Sequence, residues 1–178
     1  TASVGTIVLV TVPGDLNEQL NLVQLSAATT PTKEDEKAKA KSFFMNGQVT
    51  VLTRLENTGD IHVKPIGKIL VKNMLGKTVQ EIEFNLAGQG ADNRANILPG
   101  STRAFENKID KTNLVGRYTI EANLGYSSGS SELISANSSF WYMPIWAILV
   151  VVALVVLLVA GGYFLVRKFK KSPKRSKK

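Results

Sequence analysis

The sequence contains no cysteine and a single histidine, His62. The first absence excludes disulfides, thiol nucleophiles and thiolate metal sites. The second excludes the usual multi-histidine zinc sites and leaves one imidazole for any acid–base relay. Phosphate-binding loops are missing too. There is no GKS or GKT string, and Gly88-Gln89-Gly90 lacks the third glycine and the following helix of a dinucleotide loop, so it reads as a turn. Glu34, Asp35 and Glu36 are interleaved with lysines and lack the DxDxDG spacing of a calcium loop. In a strand His62 would point away from its apolar neighbours Ile61 and Val63, as a surface histidine does. No catalytic, cofactor or metal site is expected, and no small-molecule substrate.

The formal charge of +8 is not spread evenly. Arg167, Lys168, Lys170, Lys171, Lys174, Arg175, Lys177 and Lys178 supply eight cations with no acid among them, and removing these eight from the 22 basic residues leaves 14 against 14 acidic. The body is neutral, so no basic surface remains to condense on phosphates and nucleic acid is not an expected partner.

A charge is absent from one further place. Ile145 to Val166 is 22 residues with neither a charged side chain nor a proline. As a helix it spans about 33 Å, against a bilayer core of about 30 Å. The run exceeds strand length, so one transmembrane helix is predicted over 145–166. The cationic tail, 167–178, follows at once and marks the cytoplasmic side. Trp141, Tyr142 and Trp146 suit the headgroup region on the other side, because their rings are apolar and their tips polar. The lipid bilayer is thus an expected partner, with the body extracellular and the tail an orientation signal that can clamp onto anionic lipid. A sortase signal needs an LPxTG-type motif just before the span, where this chain has FWYMP. The span is expected to stay uncleaved. Ala160, Gly161 and Gly162 permit close helix packing, although no GxxxG is present.

The N-terminus, TASVGTIVLVTVPGD, lacks the features of a signal peptide and starts on Thr, which leads us to expect a fragment or mature remnant. Residues 6–12 are β-branched and end at Pro13-Gly14-Asp15, a strand followed by a turn. A second strand is expected around 20–25, and residues 1–27 could instead form the edge of an upstream domain. Residues 33–41 offer no apolar face and read as a solvated loop with at most one helical turn. From 48 to 56 the alternation is that of a half-buried strand, and Asn57-Thr58-Gly59-Asp60 turns the chain. Short strands are expected at 61–63, 68–72, 79–86 and 104–106, with a hairpin turn at Asn73 to Lys77. Residues 118–126 and 133–141 complete the set, separated by the turn SSGSS. Asn137-Ser138-Ser139 is formally a glycosylation sequon.

Seven to nine short strands without an amphipathic helix describe an all-β fold: an immunoglobulin-like antiparallel β-sandwich over 1–140, then a single C-terminal transmembrane α-helix. Phe84 and Tyr118 each lie on the apolar face of an alternating strand and are expected in one core. Gly116-Arg117-Tyr118 also fits a corner at which a tyrosine hydroxyl returns to the backbone. Between the last strand and the helix lie only residues 141–144. At about 3.3 to 3.6 Å per residue they reach roughly 14 Å at most, which stands the domain almost on the headgroups.

The stretches LENTGDIHVKPIGKILVKNMLGK, NILPGSTRAFE and GRYTIEANLGYSSGSSELISANSSFWYMP, with the helix and tail, resemble the membrane-proximal part of bacterial surface proteins of the WxL-interacting type. In that group an immunoglobulin-like module precedes one C-terminal helix, and an N-terminal module binds peptidoglycan. The resemblance covers roughly Thr1 to the end and does not include that N-terminal module. It implies a non-enzymatic, membrane-anchored surface protein acting as structural support or as an adhesion module toward a protein or cell-wall partner. The alternative is a non-catalytic subunit bracing a membrane complex from the outer face.

Overall fold

The computed structural model describes residues 17–31, 37–85, 94–110, 114–126 and 133–170. The expected strand at 6–12, the acidic triplet 34–36, the Gly88-Gln89-Gly90 turn and the SSGSS turn lie outside this set. Among the described residues the chain forms eight strands and one helix: β1 (Leu20–Thr29), β2 (Phe43–Phe44), β3 (Val49–Asn57), β4 (Ile66–Asn73), β5 (Thr78–Phe84), β6 (Thr102–Lys108), β7 (Gly116–Gly125), β8 (Leu133–Tyr142) and α1 (Ile145–Lys170). They build a three-stranded sheet, β1-β3-β6, and a five-stranded sheet, β2-β8-β7-β4-β5.

Alternation explains the layering. Along β7, Tyr118, Ile120, Ala122 and Leu124 are buried while Arg117 and Asn123 face solvent. Ile69 and Val71 of β4, beside Ala122 and Ile120, turn the same way. Val51 and Leu55 of β3 face them from the other sheet, so the two inner faces share one core. Burying a side chain of this size contributes roughly 1.5 to 3 kcal/mol, so this row supplies much of the drive to fold. Phe84 and Tyr118 are both buried members of that core. Phe84 packs on Phe105 with ring centroids 4.7 Å apart, which ties the edge strands β5 and β6 together across the layers.

The pairings are antiparallel with one exception. β2 runs parallel to β8, with Phe43 opposite Trp141 and Phe44 opposite Tyr142. β1 lies against β3 from Leu20 to Thr29, so residues 20–27 belong to the same sheet as β3 and β6. Around the expected 33–41 loop, residues 37–41 are not helical, and Ala38 is buried with Ala28 and Leu52. This segment covers the outer face of β3, which is why Thr50 and Leu52 are buried as well as Val49 and Val51. Residues 61–63 form no strand; Val63 makes a single bridge to Ile97.

β8 continues to Tyr142, so the connector to α1 is Met143 and Pro144 alone. The Pro144 carbonyl accepts from the N–H groups of Ala147 (2.9 Å) and Ile148 (3.2 Å) and so starts the helix. Proline suits this place because its missing N–H has no helical partner there.

Candidate functional site: the helix-bearing end of the β-domain

The strand registers place several chain segments at the end from which α1 departs. Gly116 pairs with Tyr142, and Asn73 lies level with Tyr118 and Phe140. The β4–β5 turn therefore projects beyond Asn73 to the level of the last β8 residue. A Cβ on Gly116 would stand 3.8 Å from the Met74 sulfur, which fixes the turn beside the start of β7. The β2–β3 connection reaches the same end, since the Met143 N–H donates to the Phe44 carbonyl at 2.8 Å.

Aromatic rings close the core here. Phe140 lies at 5.8 Å, edge-on, from Phe44 and at 5.6 Å from Tyr118, and Phe44 stacks on Tyr142 at 6.5 Å. The two tyrosines each keep a polar tip satisfied. The Tyr118 hydroxyl accepts from the Val115 N–H (3.1 Å) and donates to the Val115 carbonyl (3.3 Å), returning to the backbone three residues upstream. The Tyr142 hydroxyl donates to the Gly47 carbonyl at 3.0 Å.

Sequence reasoning grouped Trp141 and Tyr142 as headgroup residues, but strand alternation separates them. Trp141 is on the outer face, 45% exposed, whereas Tyr142 is 8% exposed and belongs to the core. Tyr142 is therefore a structural ring rather than a surface one. Trp146, in the first turn of α1, is 62% exposed. Beyond Ile148 nearly every large apolar side chain of the helix is exposed, and its span Ile145–Arg167 is long and apolar enough to cross a membrane. Arg167 is exposed near its end, and Lys168 and Lys170 fall in its last turn. Lys171, Lys174, Arg175, Lys177 and Lys178 lie outside the described residues.

Beside Trp141 the outer face of the five-stranded sheet carries an open groove of about 500 Å³, lined by Lys72, Asn73, Met74, Gly76, Arg117, Thr119, Glu121 and Trp141. Lys72 and Glu121 are paired at 2.5 Å within it. A second opening of about 450 Å³ lies at the same end, between Gly47, Val49, Ile109, Leu114 and Tyr142. The turn Asn73 to Lys77, expected as a hairpin, is firmly built. The Asn73 carboxamide oxygen accepts from the N–H groups of Leu75 and Lys77, each at 3.0 Å, and Gly76 adopts the left-handed conformation with φ 76°.

Among the described residues no group of three or more His, Cys, Asp or Glu is placed to hold a metal ion. His62 is half-buried beside the Val63 bridge. Asn137 of the sequon is exposed in the middle of β8, opposite Glu121.

No protein-family model matches the chain, and no curated protein matches it. Solved structures do. The C-terminal domain of Wzt is 12% identical, with a TM-score of 0.46, over 74% of this chain and 80% of that one. A putative ApaA protein from Bordetella pertussis is 13% identical, with a TM-score of 0.42, over 72% of this chain and 96% of that one. A β-D-glucoside glucohydrolase from Trichoderma reesei is 14% identical, with a TM-score of 0.37, over 70% of this chain and 19% of that one.

Proposed function

We propose that the chain is a non-enzymatic, membrane-anchored bacterial surface protein. Its β-domain stands outside as a structural or interaction module, α1 crosses the bilayer, and the basic tail lies in the cytoplasm. The observation that carries this reading is α1 itself. Its apolar side chains are exposed along almost the whole length of Ile145–Arg167, with 6% of the most apolar stretch buried by the rest of the chain. Such a surface is far larger than water tolerates on a monomer, while a helix satisfies its own backbone polar groups in hydrocarbon. The run of cations after it favours the inward orientation of the C-terminus.

The finer label, an immunoglobulin-like sandwich, draws support from the two sheets around one core and from the hydroxyl of Tyr118 returning to Val115. The resemblance to the WxL-interacting type supplies the expectation of a cell-wall or protein partner. Gly161 and Gly162 have open space around them, which suits the alternative of a bracing subunit whose helix packs on others.

The test is fractionation of bacteria expressing the chain behind an export signal, with one tag before residue 17 and one at the C-terminus. The chain should stay with membranes through an alkaline wash. External protease should remove the N-terminal tag from intact cells and spare the C-terminal one. Recovery in the soluble fraction, or loss of both tags, would overturn the reading.

A further inference from the structure

On the helix-bearing end, large apolar side chains are exposed where a water-facing domain would carry polar ones. Met74 and Leu75, at the tip of the β4–β5 turn, are 72% and 86% exposed, and Phe43, Met45, Val115 and Trp141 share this end. The tip is held in place by the Asn73 carboxamide, so its two apolar side chains are presented outward by a fixed turn rather than by a loose loop.

Building on the membrane-anchor reading, we infer that this end of the β-domain is itself a membrane-binding surface, with Met74 and Leu75 set into the lipid interface as a second foothold beside α1.

Position argues for lipid as the occupant. Leu75 projects to the level of Gly116 and Tyr142, and Ile145, the first residue of the apolar helix, follows three residues after Tyr142. Three residues extend at most about 10 Å. Each interfacial layer of a bilayer is roughly 5 to 8 Å thick, half the difference between its full and hydrocarbon thickness. If α1 fills the hydrocarbon, the hairpin tip has little room to avoid the headgroups. The charges around it fit the same surface. Lys41, Lys77, Lys108 and Arg117 are exposed on this end, against Asp110 among the described acids there, while Glu121 is paired with Lys72. Long cationic side chains lay their stems along apolar surface and reach phosphate with their heads. Apolar tips framed by cations are what an interfacial binding surface requires.

The absence of cysteine makes the test direct, because any cysteine introduced is the single labelling site. Leu75→Cys, Leu133→Cys and Leu157→Cys are made in the full chain. Each is labelled with an environment-sensitive fluorophore and reconstituted into vesicles of phosphatidylcholine and phosphatidylglycerol with brominated acyl chains. Leu133 is 69% exposed at the far end of β8, about 30 Å of strand away from Tyr142, and reports the water-facing side. Leu157 lies in the middle of α1 and reports the hydrocarbon. Quenching at position 75 is expected to lie clearly above that at 133 and below that at 157, as befits a side chain at the headgroup–acyl boundary. If 157 is quenched while 75 is as unquenched as 133, the foothold is wrong and the anchor stands. If 157 is itself unquenched, the anchor reading fails and takes the foothold with it. A blue-shifted but unquenched label at 75 would show a protein surface covering the tip, which also overturns the proposal.

Discussion

At the end of the β-domain away from α1, chain reversals are tied by carboxamides. The Asn57 side chain donates to the carbonyls of Ile61 (2.7 Å) and Ile97 (2.9 Å) and accepts from the Gly59 N–H (3.0 Å). Asn85, with φ 52°, donates to the carbonyls of Pro65 and Ala95 and accepts from the Ala95 N–H. At the end that bears α1 a carboxamide, that of Asn73, ties one turn as well, but the core there is closed by Phe44, Tyr118, Phe140 and Tyr142, whose rings fill it while the two tyrosine hydroxyls reach the backbone. Carboxamides bind a turn's own polar groups and leave its surface free to face water. Rings concentrate apolar area, and the side chains just outside them are apolar as well.

The comparison can be broken most forcefully at Phe140, which is completely buried between two other rings. Phe140→Ala should cost about 4 kcal/mol, the range for emptying an aromatic site. A thermal melt of the full chain in detergent micelles, followed by its β signal in circular dichroism, measures this. At the other end, Asn57→Ala removes three side-chain hydrogen bonds, although the Ile97 carbonyl keeps the Val63 N–H and the Gly59 N–H keeps the Gln19 carbonyl, and should cost about 2 kcal/mol in the same assay. If Asn57→Ala were silent, the carboxamide would be ornamental and the contrast between the ends would fail.

Smaller changes sharpen it. Tyr142→Phe and Tyr118→Phe remove one hydroxyl each while keeping the ring, and each should cost about 1 kcal/mol. Losses of several kcal/mol would mean that the hydroxyls, not the rings, hold the helix-bearing end. The smallest effect belongs to neither end. Lys68 and Glu81 meet at 2.5 Å on the sheet surface, and the Glu81 carboxylate, by hydrogen bond and then by charge, raises the Lys68 pKa above its ordinary 10.5. A raised lysine contributes stability that is present below the unfolded value and lost as pH rises through the folded one. Both groups are largely exposed, so the contribution is small: whatever lowering of the melt Lys68→Gln brings should be present at neutral pH and disappear at alkaline pH.

How legible this was in the sequence depended on how each element is specified. β7 and β8 could be read because their side chains alternate over ten residues, and α1 because its apolar run is unbroken. β2 could not. Phe43 and Phe44 are two residues whose strand geometry comes from β8 beside them, and no local period announces it. The burial of Ala38 was equally hidden, since an alanine among lysines carries no apolar signal until Ala28 and Leu52 are brought to it. Tyr142 was hidden because nothing local shows that β8 runs on to it; extending the alternation from Phe140 turns it inward. At Met74 and Leu75 the turn was legible in NMLGK, but its position beside α1 follows from register between distant strands.

The two-residue joint between β8 and α1 also acts as a rotational lock. A helix turns about 100° per residue, and Met143 and Pro144 leave no slack to absorb a change in phase. The face of α1 that carries Gly161 and Gly162 therefore has a fixed compass bearing relative to the strands outside. A single residue added in the first helical turn after the joint would swing that face by more than a quarter of a turn while leaving the strand pairings of the β-domain untouched. Length at this joint is thus a dial for direction, and a neighbour that gripped both the helix and the domain could tell a one-residue change from none.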